Sequence, residues 1–185
     1  MGINQGNDQL FVNVSKGLMW YGKKDSEGHR KSCRAITGFV RSVAIEDDEY
    51  QGQHRDVVIV NVEDPDAAGD DKKMRLKFTL MSWFGQGFAS RFKRIDFSKP
   101  LTIGVSGAEG GNEKVSFCWM KQSGETIPAD KENWPMPQKV KVNGKETTDW
   151  GPMAERFKAL LAEYKAKPPA VTGAAPTGKD DDLPF

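Results

Sequence analysis

Residues 31 to 45 read KSCRAITGFVRSVAI. The run is too rich in β-branched and aromatic residues for a helix, so it predicts one long strand. Gly38 in its middle is the residue expected at a bulge or sharp bend, and a bent strand can serve two sheet faces. Toward the C-terminus, an acidic loop is expected around Asp47 and Gly52, then a second strand at 54 to 62, HRDVVIVNV. A polar turn with Asp64, Pro65 and Gly69 follows. The third strand, 73 to 81, KMRLKFTLM, alternates cleanly: Met74, Leu76, Phe78 and Leu80 face one way, and Arg75, Lys77 and Thr79 the other. In residues 83 to 95, WFGQGFASRFKRI, the period changes. Phe84, Phe88, Phe92 and Ile95 recur at helical spacing. Two further strands, 100 to 106 and 114 to 121, are joined by the glycine-rich SGAEGG loop. Upstream, residues 9 to 21, QLFVNVSKGLMWY, predict an N-terminal strand or hairpin broken at Gly17.

A bent strand, two more strands, a helix and two final strands make the order of an OB-fold, a β-rich five-stranded barrel with a helix between strands 3 and 4. Such barrels bind oligonucleotides on an outer face and its loops. A generic small β-barrel gives the same string. Beyond it, Asn143-Gly144 between strand-like flanks predicts an extra hairpin. A C-terminal amphipathic helix then begins near Pro152, with Met153, Phe157, Leu160, Leu161 and Tyr164 as its apolar stripe. That stripe packs on the barrel or forms a dimer contact. Residues 1–166 thus make one domain. Residues 167–178, rich in Pro, Gly and Ala, are expected to be a flexible linker, and 179–185 a separate acidic tip.

Composition agrees with one domain of 185 residues plus a tail. Five Trp and ten Phe exceed what a small core needs, so some aromatics are expected at the surface. Cys33 and Cys118 are the only cysteines, which suits reduced thiols in a cytoplasm; a single long-range disulfide is the alternative. His29 and His54 have no companion at metal-ligand spacing. The chain has no apolar stretch of membrane-spanning length, and its opening MGINQGNDQL is not expected to act as a signal peptide. Net charge is +1, yet the last seven residues hold one Lys and three Asp, so the body without them carries +3. Glu46 to Glu49 and Glu63 to Asp71 concentrate the remaining acids and leave other stretches locally basic.

No Walker loop, nucleophile elbow, HExxH or CxxC motif is present, and neither metal nor cofactor is expected. Single-stranded nucleic acid requires only cations along the phosphates and exposed rings on which bases stack. Three places combine these. The first is Trp20 and Tyr21 beside Lys23 and Lys24, with Arg30 and Lys31 shortly after. The second is the outward face of strands one to three, with Arg41, Arg55, Arg75 and Lys77. The third pairs Trp83 with Arg91 and Trp119 with Lys121, although core packing is the competing expectation for both tryptophans. For Arg75 and Lys77 the competing expectation is an ordinary solvated strand face.

The chain ends Asp180, Asp181, Asp182, Leu183, Pro184, Phe185. Three adjacent carboxylates favour an extended, solvated chain, and no folding argument requires the apolar tip behind them. DDDLPF resembles the acidic tip of bacterial single-stranded DNA-binding proteins, and an acidic tail closing on Phe is similar to that of phage single-stranded DNA-binding proteins. The N-terminus does not resemble the bacterial tetrameric proteins. The resemblance implies a phage-encoded or divergent member, monomeric or dimeric rather than tetrameric. It would coat single-stranded DNA in the bacterial cytoplasm during replication, recombination or repair. Its tip would recruit a polymerase, helicase, primase or nuclease, with Phe185 offering ring and carboxylate, Pro184 fixing the approach and the three aspartates steering encounter. Two other readings stand beside it: an interaction adaptor without affinity for DNA, and a nucleic-acid enzyme using the acidic loops and a metal.

Overall fold

The computed structural model describes residues 9–67, 72–107 and 115–166. The expected linker and acidic tip lie outside the described residues, as do most of the glycine-rich loop (108–114) and residues 68–71 of the polar turn. In chain order the elements are β1 (Leu10–Ser15), β2 (Leu18–Tyr21), β3 (Lys31–Cys33), β4 (Ala35–Tyr50), β5 (Gln53–Glu63), β6 (Lys73–Thr79) and α1 (Trp83–Ala89). Then come β7 (Leu101–Gly107), β8 (Ser116–Gln122), β9 (Glu125–Thr126), β10 (Gln138–Val142), β11 (Lys145–Asp149) and α2 (Gly151–Ala166).

β4 organises the sheet by changing partner partway along. Ala35 to Gly38 pair with β7, whereas Phe39 to Tyr50 pair with β5 on the opposite edge. The change falls at Gly38, where an added Cβ would lie 2.6 Å from the Glu63 carbonyl oxygen and 2.8 Å from Val62 Cγ1. Only a glycine lets the two backbones come so close. A bulge between Val40 and Ser42, leaving Arg41 as the extra residue, completes the bend.

Nine strands form one mixed sheet in the order β3-β2-β1-β6-β5-β4-β7-β8-β9. The expected strand, helix and strand succession is present in β4 to β8, but the sheet is open, not a closed five-stranded barrel. The physical reason lies in the N-terminal hairpin: β1 lies parallel to β6, Leu10 opposite Met74 through Asn13 opposite Lys77, and occupies that edge. Contacts other than ladder bonds bridge toward the far strands. The Gly17 amide donates to Ser116 Oγ at 2.9 Å. α1 lies against β8, with Gly87 so close that a Cβ would sit 3.0 Å from that of Cys118.

Two further expectations are corrected. The acidic stretch around Asp47 is strand, not loop: β4 runs to Tyr50 and turns back through Gln51 and Gly52, both at positive φ. Its carboxylates tolerate the ladder because cross-strand partners meet them, as the Arg55 guanidinium meets Asp48 and the His54 ring meets Asp47. The helix from Trp83 is shorter than its period suggested. It ends at Ala89 and continues as a 3-10 turn at Phe92–Arg94, where Arg91 donates to the Gly87 and Ile127 carbonyls. Its stripe of Phe84, Phe88, Phe92 and Ile95 is nevertheless buried.

The core lies between the inner sheet face and the helices. Met74, Leu76, Phe78 and Leu80 point into it, as their alternation predicted. α2 caps one end: Phe157 meets Phe88 and Phe92 edge-on at 6.1 and 5.3 Å, and Tyr164 lies 4.6 Å from Phe97. Lys158 Nζ anchors the helix to Asp56 of β5 at 2.9 Å. The apolar stripe thus packs on the body. The Asn143-Gly144 turn closes β10 and β11 with both residues at positive φ, as expected for a two-residue hairpin.

Replacing Gly38 by Ala should force β4 and β5 apart and destabilise the fold by about 1–3 kcal/mol, the usual range for overpacking. Urea denaturation followed by tryptophan fluorescence tests this; an unchanged midpoint would show that β4 can bend elsewhere.

Candidate nucleic-acid interface

Strand alternation assigns every residue of β1 to β6 to one face or the other. Val12, Met19, Val60, Leu76 and Phe78 turn inward. The opposite, outer face carries two cross-strand rows. One runs Ser32, Trp20, Asn13, Lys77, Ile59, Ala44 across six strands. The next runs Phe11, Arg75, Asn61, Ser42. Arg55, Asp48 and Tyr50 continue the same face along the β4–β5 hairpin arm. Phe11 and Tyr50 are each 55% exposed, unusual for large rings unless a partner covers them. Arginines lie against both: Arg75 is 6.0 Å from the Phe11 centroid and Arg55 is 4.6 Å from that of Tyr50.

The cations of this face are not bare. Lys77 Nζ donates to Asp48 Oδ1 at 2.7 Å, and Arg55 Nε and Nη2 donate to Asp48 Oδ2 at 3.0 and 2.7 Å. Arg75 Nη2 forks onto both Glu46 oxygens at 2.7 and 2.9 Å, and Arg41 donates to Glu63 at 2.8 Å. Hydrogen bonds from Lys77 and then Arg55 hold the Asp48 carboxyl below its ordinary range. Val57, in register between Glu46 and Thr79, and Ile59, between Ala44 and Lys77, are nearly inaccessible although they sit on the outer face. Aliphatic stems of the charged side chains cover them, as long cationic residues do over apolar ground. The network is therefore both a lid on two apolar residues and a store of paired charge. A concavity of about 250 Å³ opens beside it, lined in part by Asn13, Tyr50, Arg55, Lys77 and Thr79.

The other expected positions separate. Trp20 joins the outer face, its indole N–H donating to the Ser15 carbonyl at 3.0 Å. Tyr21 turns the other way and packs against the core. Lys23, Lys24, Arg30 and Lys31 are exposed at the β2–β3 connection, with no carboxylate among the described residues in ion-pair distance. Arg91 is partly buried and spends two hydrogen bonds on backbone carbonyls, which makes it a fold residue. Core packing, the competing expectation for Trp83 and Trp119, is overturned. Trp83 is 38% exposed. Trp119 lies on the outer face of β8 with its ring over Gly104, where a Cβ would fall 2.0 Å from an indole carbon; Lys121 sits 5.8 Å from that ring.

Phe11, Tyr50, Asn13 and Phe117 were not anticipated. Alternation in LFVNV already turned Phe11 away from Val12. Tyr50 was hidden because its neighbours suggested a loop. Trp134 is buried, and its indole N–H has no partner among the described residues. Cys33 and Cys118 are unpaired, and burial raises both thiols, Cys118 up to about 12. Among the described residues no helix is long and apolar enough to cross a membrane. Compared with known proteins, the chain matches no family model, no curated protein and no solved structure.

Because the folded carboxyl of Asp48 is held low, its contribution to stability is present above the unfolded carboxyl range and is lost as pH falls through the lowered folded value. Thermal melting of wild type and Asp48→Asn should differ at pH 7 and converge below about pH 4. A pH-independent difference would remove the ionic contribution.

Proposed function

We propose that the chain is a sequence-independent single-stranded DNA-binding protein that receives its strand on the outer face of β1 to β6. One observation carries this reading: Trp20, Phe11 and Tyr50 share a single sheet surface with Arg75, Lys77 and Arg55. Rings offer platforms to bases of any sequence, each stack contributing about 1–3 kcal/mol, while the cations follow the phosphates. The succession β4, β5, β6, α1, β7, β8, with β7 paired back to the start of β4, supports an OB-like reading of the body. N-terminal strands widen the ligand face of that body.

Binding on this face is an exchange of partners. Phosphate oxygens take Lys77 and Arg55 from Asp48, and Arg75 from Glu46, so each new ion pair replaces one already made. Net affinity then comes mainly from stacking, and the salt dependence is shallow. The DDDLPF tip, as a partner-recruiting segment for replication or recombination proteins, completes the proposal and places the protein in a bacterial or phage-infected cytoplasm. The paired state of the face also favours a second reading, an adaptor without affinity for DNA.

Titration with oligo(dT), followed by tryptophan quenching, separates the two. The binder should weaken with salt at a log–log slope of about −2, three cations at the single-strand value. Tyr50→Ala and Phe11→Ala should each cost about 1–3 kcal/mol. Asp48→Asn, which removes the competing charge, should tighten binding. No quenching at low salt would leave the adaptor.

A further inference from the structure

The groove beside the outer face continues past Thr79, around the ends of β1 and β6. The concavity beside Tyr50 and Lys77 shares Val14, Phe78 and Thr79 with a second, of about 500 Å³, that passes the Lys16 turn to Trp83 and Trp150. Trp83 is in turn shared with a third, of about 520 Å³, bounded by Gln86, Arg91, Phe117, Lys131 and Met136. The three follow one another over the β1–β2 turn and the start of α1.

Two features of this extension differ from the sheet face. Its rings brace one another: Trp83 and Phe117, each 38% exposed, lie 6.2 Å apart between centroids, and Trp150 holds Trp83 edge-on at 5.2 Å. An indole braced from behind by a second indole stays in place without a ligand, which lowers the entropy lost when a base stacks on it. Its charge is also uncompensated. Lys16, Arg91 and Lys131 line the second and third concavities, and no carboxylate does so among the described residues.

We infer that the Trp83–Phe117 groove is a second nucleotide subsite, in which a strand leaving the β1–β6 face crosses the Lys16 turn and stacks a base on Trp83. The inference rests on the reading of the sheet face as a single-stranded DNA surface. Lys16 meets the phosphate at the crossing, and Lys131 lies where the strand leaves. Continuity with the sheet groove, exposed rings, and charged lining residues that are all cationic select a polyanion with π-faces over an apolar peptide.

Length-dependent binding tests this. Oligo(dT) of about 4 and about 16 nucleotides, the span of single-domain footprints, is titrated into the full chain as wild type, Trp83→Ala, Trp83→Phe and Tyr50→Ala. Trp83→Ala should weaken the longer oligonucleotide about 5- to 150-fold, the equivalent of one stacked base, and the gain in affinity with length should shrink. Trp83→Phe, which keeps a ring, should recover most of the loss. A matching melting temperature for the variants establishes that folding is intact. If Tyr50→Ala weakens binding while Trp83→Ala binds both lengths like wild type, the second subsite is wrong and the sheet-face reading stands. If wild type binds neither length at low salt, the sheet-face reading falls first.

Discussion

A single strand that must satisfy two ladders on opposite edges sets the shape of this protein. β4 pairs with β7 up to Gly38 and with β5 beyond it, and the exchange requires the backbone of β5 to approach where any side chain would intrude. The rest follows from that approach. The sheet rolls at this point, so the inner faces of β4 to β8 enclose one apolar volume, which α1 and α2 then close. A straight β4 would leave two flat sheets, each with one unburied face, and burial at about 25 cal/mol per Å² is what makes the folded state competitive.

The charge network on the outer face reconciles two demands. Val57 and Ile59 are buried apolar residues that stand outside the core cluster, on the outer face of the sheet. Covering them with aromatic bulk would produce a sticky patch. Covering them with the stems of Arg and Lys keeps the patch polar, and Asp48 and Glu46 hold the charged heads in place. Exposed ion pairs are each worth little in stability, on the order of 0–1 kcal/mol. For the proposed DNA-binding role that weakness is useful: a pair that contributes little would be exchanged for phosphate at little cost.

How far the sequence discloses this depends on the kind of signal. Alternation in KMRLKFTLM fixed both faces of β6, and with them Arg75 and Lys77, because period two is a geometric property of the strand. Gly38 was readable as a bend for the same local reason. Asp47 and Asp48 misled, since a run of acids has poor strand propensity in isolation, and only cross-strand Arg55, Lys77 and Arg75 make it tolerable. Trp119 misled for a related reason. Its place depends on Gly104 of the neighbouring strand, which leaves room for the ring on the outside. Register between strands is a tertiary fact, and no single-strand pattern contains it.

The open sheet follows from the same register. By lying parallel to β6, β1 takes the edge through which a small barrel would close, and the far strands are reached through the Gly17 turn and α1 instead. Losing closure costs ladder hydrogen bonds, each worth about 0.5–1.5 kcal/mol net. The exchange adds three strands to the outer face, and those strands supply Phe11, Asn13 and Trp20. Without them the face would hold Arg75, Lys77, Arg55 and Tyr50, one ring among three paired cations. With them it holds rings on both flanks of the cations, the arrangement that the proposed DNA-binding role calls for when electrostatic gain is small and stacking must supply the affinity.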